Sequence, residues 1–179
     1  MNFSECLMVK IAHDLAGGIG ALSSTVDLMK FDPTFVNEAP GMLKKNTDML
    51  LARLKFYRAL FGAETKSISE SIVLDYLNTL GAKITFSGKI STRLELSMVA
   101  VAIQMAAAGG DILYSNNTLI VSSNNLILKD NTTKILSGKI PQESEIETLE
   151  AEWLIKQLTD QNKKLKITQK DKKIEIKIV

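Results

Sequence analysis

The 179-residue chain has one cysteine, Cys6, one histidine, His13, and three prolines. A single cysteine excludes an internal disulfide framework and any cysteine-based zinc site within one chain. With only one histidine as well, a protein metal site would have to rest on carboxylates. No charge sign dominates: 22 Lys+Arg stand against 20 Asp+Glu, a net charge of +2. The strong basic excess of a general nucleic-acid binder is absent. The uncharged, strongly apolar run at residues 96–110 is too short to span a bilayer. Glu5, Lys10 and Asp14 interrupt the apolar start, so it does not read as a signal-peptide core. The expectation is a soluble, cytoplasmic protein in a reducing compartment, without membrane or nucleic acid as partner.

What is there is a 45% hydrophobic chain, long enough to bury roughly 70% of its unfolded surface in a packed core. Its pattern divides near residue 64, at the small, polar stretch AETKS. Residues 1–64 read as a hairpin of two long helices, and residues 65–179 as an α/β domain.

The first helix is expected from about Phe3 to Lys30. With Ile11 placed at zero on a helical wheel, Met8, Leu15, Ile19, Leu22, Val26 and Met29 fall between about 0° and 80°, a narrow apolar seam. Asp32-Pro33 supplies the stop. The second helix is expected over roughly Glu38–Phe61, with Pro40 tolerable only in the first turn and Gly62 placed as its cap. Its seam is Leu43, Thr47, Leu50, Leu54, Tyr57 and Phe61. One pair of helices cannot bury both seams, so the hairpin is expected to form a four-helix bundle in a homodimer.

The second part is expected to be a two-layer α+β unit with a mainly antiparallel sheet. Helices are predicted at about 69–80, 92–108 and 143–161. Strands are predicted at 82–87, 111–115, 118–122 and 126–130, followed by a closing hairpin of KLKITQ and KIEIKIV. Asn116-Asn117, Asn124-Asn125 and Lys170-Asp171 are turn signals. Residues 142–160 carry six acids and one lysine, and residues 163–179 seven lysines and two acids. These blocks read as solvated faces that partly neutralise each other.

His13 is the residue that suggests chemistry. It lies near 200° on the wheel, far from the apolar seam. Gly17, Gly20 and Ser24 share its face, with Ala21 at the margin. Each glycine costs a helix about 1 kcal/mol relative to alanine. Close approach of another protein's surface would offset that cost, with Gly17, Gly20, Ala21 and Ser24 as the docking strip and His13 as the reactive group. Asp14 is then placed to orient or polarise the ring. The plainer alternatives are a surface histidine and a helix crossing that needs small residues.

The segment HDLAGGIGAL (13–22), inside an N-terminal helical hairpin, resembles the H-box of bacterial two-component histidine kinases. The hairpin end RLKFYRALFGA (53–63) resembles the second-helix terminus of the ChpT-like histidine phosphotransferases of bacterial phosphorelays. The chain end is similar too, with Trp153 in a helix leading into the closing hairpin. This resemblance implies a dimeric four-helix bundle, a degenerate kinase-like ATPase domain that has lost ATP binding, and His13 as phosphoacceptor. Two positions depart from the usual pattern: Gly17 stands in place of a polar residue and Gly18 in place of a proline. In the kinases the polar residue assists dephosphorylation of the partner, and Gly17 has no side chain to do so.

An ATP-binding kinase domain needs a Mg²⁺-holding Asn on its first long helix, an Asp-x-Gly-x-Gly turn and a glycine-rich lid. Residues 83–110 contain no Asn, and no Asp-x-Gly-x-Gly occurs anywhere in the chain. The expected role is therefore phosphotransfer between response-regulator receiver domains. No cofactor of its own is expected; the receiver brings the Mg²⁺, and ATP is not used. The rival expectation is a pseudo-kinase dimer that binds receivers as a non-catalytic scaffold.

Overall fold

The computed structural model describes residues 1–62 and 68–179. The expected boundary near residue 64 lies outside the described residues. Helix α1 covers Phe3–Phe31. It starts with a reciprocal cap in which Asn2 accepts from the Glu5 N–H and Glu5 accepts from the Asn2 N–H. Asp32 ends it and accepts from the Thr34 N–H, opening a 3₁₀ turn at Pro33–Asn37. Helix α2, Ala39–Phe61, carries Pro40 in its first turn and is capped by Gly62 in an extended rather than left-handed conformation. A β-carbon on Gly62 would sit 2.3 Å from the Arg58 carbonyl oxygen, so only glycine fits that cap.

The rest of the chain runs α3 (Glu70–Leu77), β1 (Ile84–Ser87), α4 (Arg93–Met105), β2 (Gly110–Ser115), β3 (Thr118–Ser122), α5 (Asp130–Leu136), α6 (Leu149–Asp160), β4 (Leu165–Lys170) and β5 (Lys173–Ile178). The five strands lie in the order β1-β2-β3-β5-β4. All pairs are antiparallel except β1 with β2. The fold is thus α+β, a long helical hairpin followed by a sheet covered by helices. Asn116 and Asn117 both take positive φ, the mirror-image turn that matches strand twist.

Two expectations are corrected. Residues 126–130 form no strand. Leu126 and Leu128 do alternate onto the core, but β3 is already paired on both sides. The chain leaves the sheet instead: the Ile127 N–H donates to the Met105 carbonyl, and Asp130 opens α5. The expected helix at 143–161 begins only at Leu149, after a 3₁₀ turn at Ile146–Thr148. Its acidic front is drawn into contacts elsewhere: Glu143 pairs with the amino terminus and Glu147 with Lys129. The acidic block is thus partly neutralised by groups outside the closing hairpin, whose lysines are exposed.

Helix α4 is buried along nearly its whole length. It forms a core with the inward residues of the sheet, such as Ile112, Leu119, Val121, Ile174 and Ile176, and with Leu154 and Leu158 of α6. The same core continues into the end of α2 through Phe56, Tyr57, Ala59 and Leu60. Rings complete the junction. Phe3 stacks on Trp153 with centroids 5.7 Å apart, and Phe61 meets both edge-on. The base of the hairpin is therefore fixed to α6.

Candidate functional site

The two long helices meet along a definite line. Phe3 touches Phe61, Asp14 touches Tyr57, and Gly18 lies against Leu50. On the α1 wheel, Met8, Ile19 and Val26 lie about 120° round from this line; on α2, Leu51 and Leu54 lie about 40–100° round in the same sense. Because the helices are antiparallel, equal senses of rotation lead to the same side. One side of the hairpin is thus an exposed apolar face, with Met8 66% and Ile19 59% exposed.

His13, Gly17, Gly20 and Ser24 lie on the other side, and all four are exposed, as is Ala21. The His13 side chain is 87% exposed. The three glycines differ in what surrounds them. A β-carbon on Gly17 or Gly20 would meet nothing within 4 Å, whereas one on Gly18 would lie 2.1 Å from Leu50 Cδ2. The need for small residues at a helix crossing therefore accounts for Gly18 alone. Gly17, Gly18 and Ala21 line a shallow groove of about 150 Å³ with Asn46, Met49 and Arg53 of α2. Arg53 is held there by Thr79, donating from Nε to Oγ1 at 3.2 Å and from Nη2 to the carbonyl at 3.1 Å.

Asp14 points inward between the helices. Its Oδ1 lies 3.4 Å from His13 Nδ1, and its Oδ2 accepts a short hydrogen bond from the Tyr57 hydroxyl. Burial, with the neighbouring Tyr76 and Asp14 adding to it, pushes the Tyr57 phenol far above its ordinary range, so it remains a donor. Tyr76 is stacked on Phe56 at 3.9 Å and lies edge-on to Tyr57 with ring centroids 6.1 Å apart.

Deeper along α1, Lys10 Nζ lies 3.4 Å from Glu150 Oε1 of α6. Gln104 of α4 donates a short hydrogen bond to the other Glu150 oxygen. The pair is asymmetric, with side chains 19% and 6% exposed respectively. Burial works against the Lys10 charge, but Glu150, Tyr76 and Asp14 outweigh it and raise its pKa. For the deeper Glu150, burial outweighs the help of Lys10 and the carboxyl is raised.

Asp14 Oδ1 thus faces His13 Nδ1, and Gly17, Gly20, Ala21 and Ser24 form an open strip beside them. Sequence reading did not identify Tyr57 and Arg53 as part of the site. Tyr57 looked like one more seam residue, and no short-range spacing links it to Asp14, 43 positions away. Among the described residues, no three or more His, Cys, Asp or Glu gather as a metal-ligand set.

By length and composition alone α1 could cross a membrane, with a mean hydropathy of 1.2 over 18 residues. Lys10 and Asp14, however, project from its first half into polar contacts with α6 and α2.

No family model matches the sequence, and no curated protein does. Among solved structures, a bacterial phosphotransferase superimposes with a TM-score of 0.79 at 18% identity, covering 99% of this chain and 95% of that one. The chain has the fold of that phosphotransferase. The Acinetobacter baumannii histidine kinase AdeS aligns over 93% of this chain and 95% of its own, with a TM-score of only 0.37 at 10% identity.

Proposed function

We propose that the chain is a histidine phosphotransferase of a two-component phosphorelay, with His13 as phosphoacceptor. The observation that carries this reading is an exposed imidazole beside an open strip of small residues, backed by a carboxylate already fixed by Tyr57. The fold shared with a bacterial phosphotransferase is consistent with it.

In this reading a phosphorylated receiver docks over Gly17, Gly20, Ala21 and Ser24. The lone pair of neutral His13 Nε2 attacks phosphorus in line. The N–P bond forms as the P–O bond to the receiver's aspartate breaks, and that electron pair leaves on the receiver's carboxylate. The ring becomes cationic, with its remaining proton on Nδ1 facing Asp14. A second receiver takes the group by the reverse sequence. Phosphoryl transfer depends mostly on positioning and charge neutralisation, and the receiver's own Mg²⁺ site supplies the latter. ATP has no part, since the sequence lacks the Asn and glycine motifs that hold it.

The exposed apolar face of the hairpin is assigned to a second copy, giving a four-helix bundle. Its residues keep coiled-coil-like spacing on both helices and end on one side, as a symmetric partner requires. Residues 1–64 would then serve dimerisation and transfer, and residues 65–179 would be an ATPase-like domain without ATP binding. This arrangement leaves the His13 side open for receivers in the cytoplasm.

The open strip would serve a non-catalytic scaffold equally well. The test is transfer from ³²P-loaded receivers together with receiver binding. Acid-labile label on the wild type supports the transferase, whereas tight binding without label supports the scaffold.

A further inference from the structure

We infer that Tyr57 is a positioning residue for His13, acting through Asp14 to keep the ring proton on Nδ1 and the Nε2 lone pair free. The inference rests on the phosphotransfer reading and adds a residue to it.

The geometry is a relay across the two helices. The Tyr57 hydroxyl donates to Asp14 Oδ2, and Asp14 Oδ1 faces His13 Nδ1 at 3.4 Å. An exposed aspartate on a helix can turn into water and leave its neighbour. Asp14 cannot do so without losing a buried hydrogen bond, because Tyr57 itself is almost fully buried. Tyr57 is fixed in turn by rings: Phe56 lies edge-on at 6.2 Å, and Tyr76, stacked on Phe56, lies edge-on at 6.1 Å. An otherwise mobile carboxylate is thus held facing one nitrogen of an otherwise mobile ring.

The chemical consequence is a choice of tautomer. A free neutral imidazole favours the proton on Nε2, which would block the outward nitrogen. A carboxylate facing Nδ1 favours the Nδ1–H form instead. Nε2 then presents its lone pair to solvent, and the positive charge that develops on attack lies beside Asp14.

The chain has one histidine, so its ring nitrogens can be observed without overlap. The experiment records ¹⁵N shifts of both nitrogens in the full-length wild type, Tyr57→Phe, Asp14→Ala and the double variant, at a pH where the ring is neutral. Rates of His13 phosphorylation by phosphoramidate, a small donor that needs no receiver, are measured on the same samples. Tyr57→Phe keeps the ring packing, and thermal melting confirms that each variant is folded.

The expected result is a predominantly Nδ1–H ring in the wild type and a shift toward Nε2–H in Tyr57→Phe. Phosphorylation at Nε2 should slow about fivefold, well below the roughly 10²–10⁴-fold of a group that itself transfers the proton, because Tyr57 acts only through Asp14. Asp14→Ala should give the same change, and adding Tyr57→Phe to it should change nothing more, as expected for residues acting in series. Unchanged nitrogen shifts and rates in Tyr57→Phe would overturn the inference while leaving receiver-driven labelling of His13 intact. Failure of every receiver to label the wild type would overturn the phosphotransfer reading and Tyr57's part in it; the nitrogen shifts identify which of the two has failed.

Discussion

Gly18 and Leu50 are in such close contact that a β-carbon on the glycine would fall 2.1 Å from Leu50 Cδ2 and 2.5 Å from Cγ. The contact divides three neighbouring glycines into two kinds. Gly18 serves the helix crossing. Gly17 and Gly20 face open space and serve nothing within the chain.

Alanine scanning should therefore give opposite signs. Gly18→Ala should destabilise by about 1–2 kcal/mol, because overpacking outweighs the gain in helix propensity. Gly17→Ala and Gly20→Ala should each stabilise by up to about 1 kcal/mol. If the strip receives a partner, Gly20→Arg should leave thermal stability nearly unchanged while weakening receiver binding at least tenfold. Urea unfolding and receiver titration give the two readouts.

The Lys10–Glu150 pair makes a second asymmetric prediction. Lys10→Met leaves a buried carboxylate without its cation and should cost about 3 kcal/mol at pH 7. Glu150→Gln should be neutral or stabilising there, and the double variant should recover most of the loss. The sign follows from linkage. Glu150's folded pKa is raised above its ordinary 4.5, so the folded state holds a proton that the unfolded chain releases. Its contribution to stability is most favourable at low pH and falls as pH rises from about 4.5 through the folded pKa. Glu150→Gln should remove that fall, so its advantage over wild type should be absent near pH 4 and present at pH 7. Melting curves at the two values check this.

The apolar face of the hairpin should be separable from the fold of one chain. Ile19→Glu and Leu54→Glu alter exposed positions, so each should change the stability of a single chain by no more than about 0.5 kcal/mol. Both should convert a dimer to a monomer in sedimentation velocity. Phe31→Glu is the control, since Phe31 is 84% exposed but lies off the seam; it should leave the dimer intact. A wild type that is monomeric at all concentrations and binds lipid vesicles instead would place a membrane against that face.

Local pattern made much of this molecule legible. The two long helices follow from apolar spacing and from stops at Asp32-Pro33 and Gly62. The β2–β3 hairpin follows from Asn116-Asn117 between alternating runs. His13 was identifiable because it is the only histidine and lies off the seam of its helix. The failures occur where tertiary pairing decides. Leu126 and Leu128 alternate like a strand, but β3 has no unpaired edge for them. Glu143, Glu145 and Glu147 look like the front of a helix, yet they find partners in the amino terminus, Asn131 and Lys129. Tyr57 shows the same limit at the site: its spacing fits an apolar seam, and only the crossing of α1 and α2 brings its hydroxyl to Asp14.

The central claim is that His13 accepts a phosphoryl group. The most direct measurement incubates wild type and His13→Gln with ³²P-loaded receivers of the same genome in Mg²⁺. The account predicts acid-labile, base-stable label on the wild type and none on His13→Gln, with both proteins equally folded and binding receivers equally well. Equal label on both, or none on the wild type despite measurable receiver binding, would contradict it.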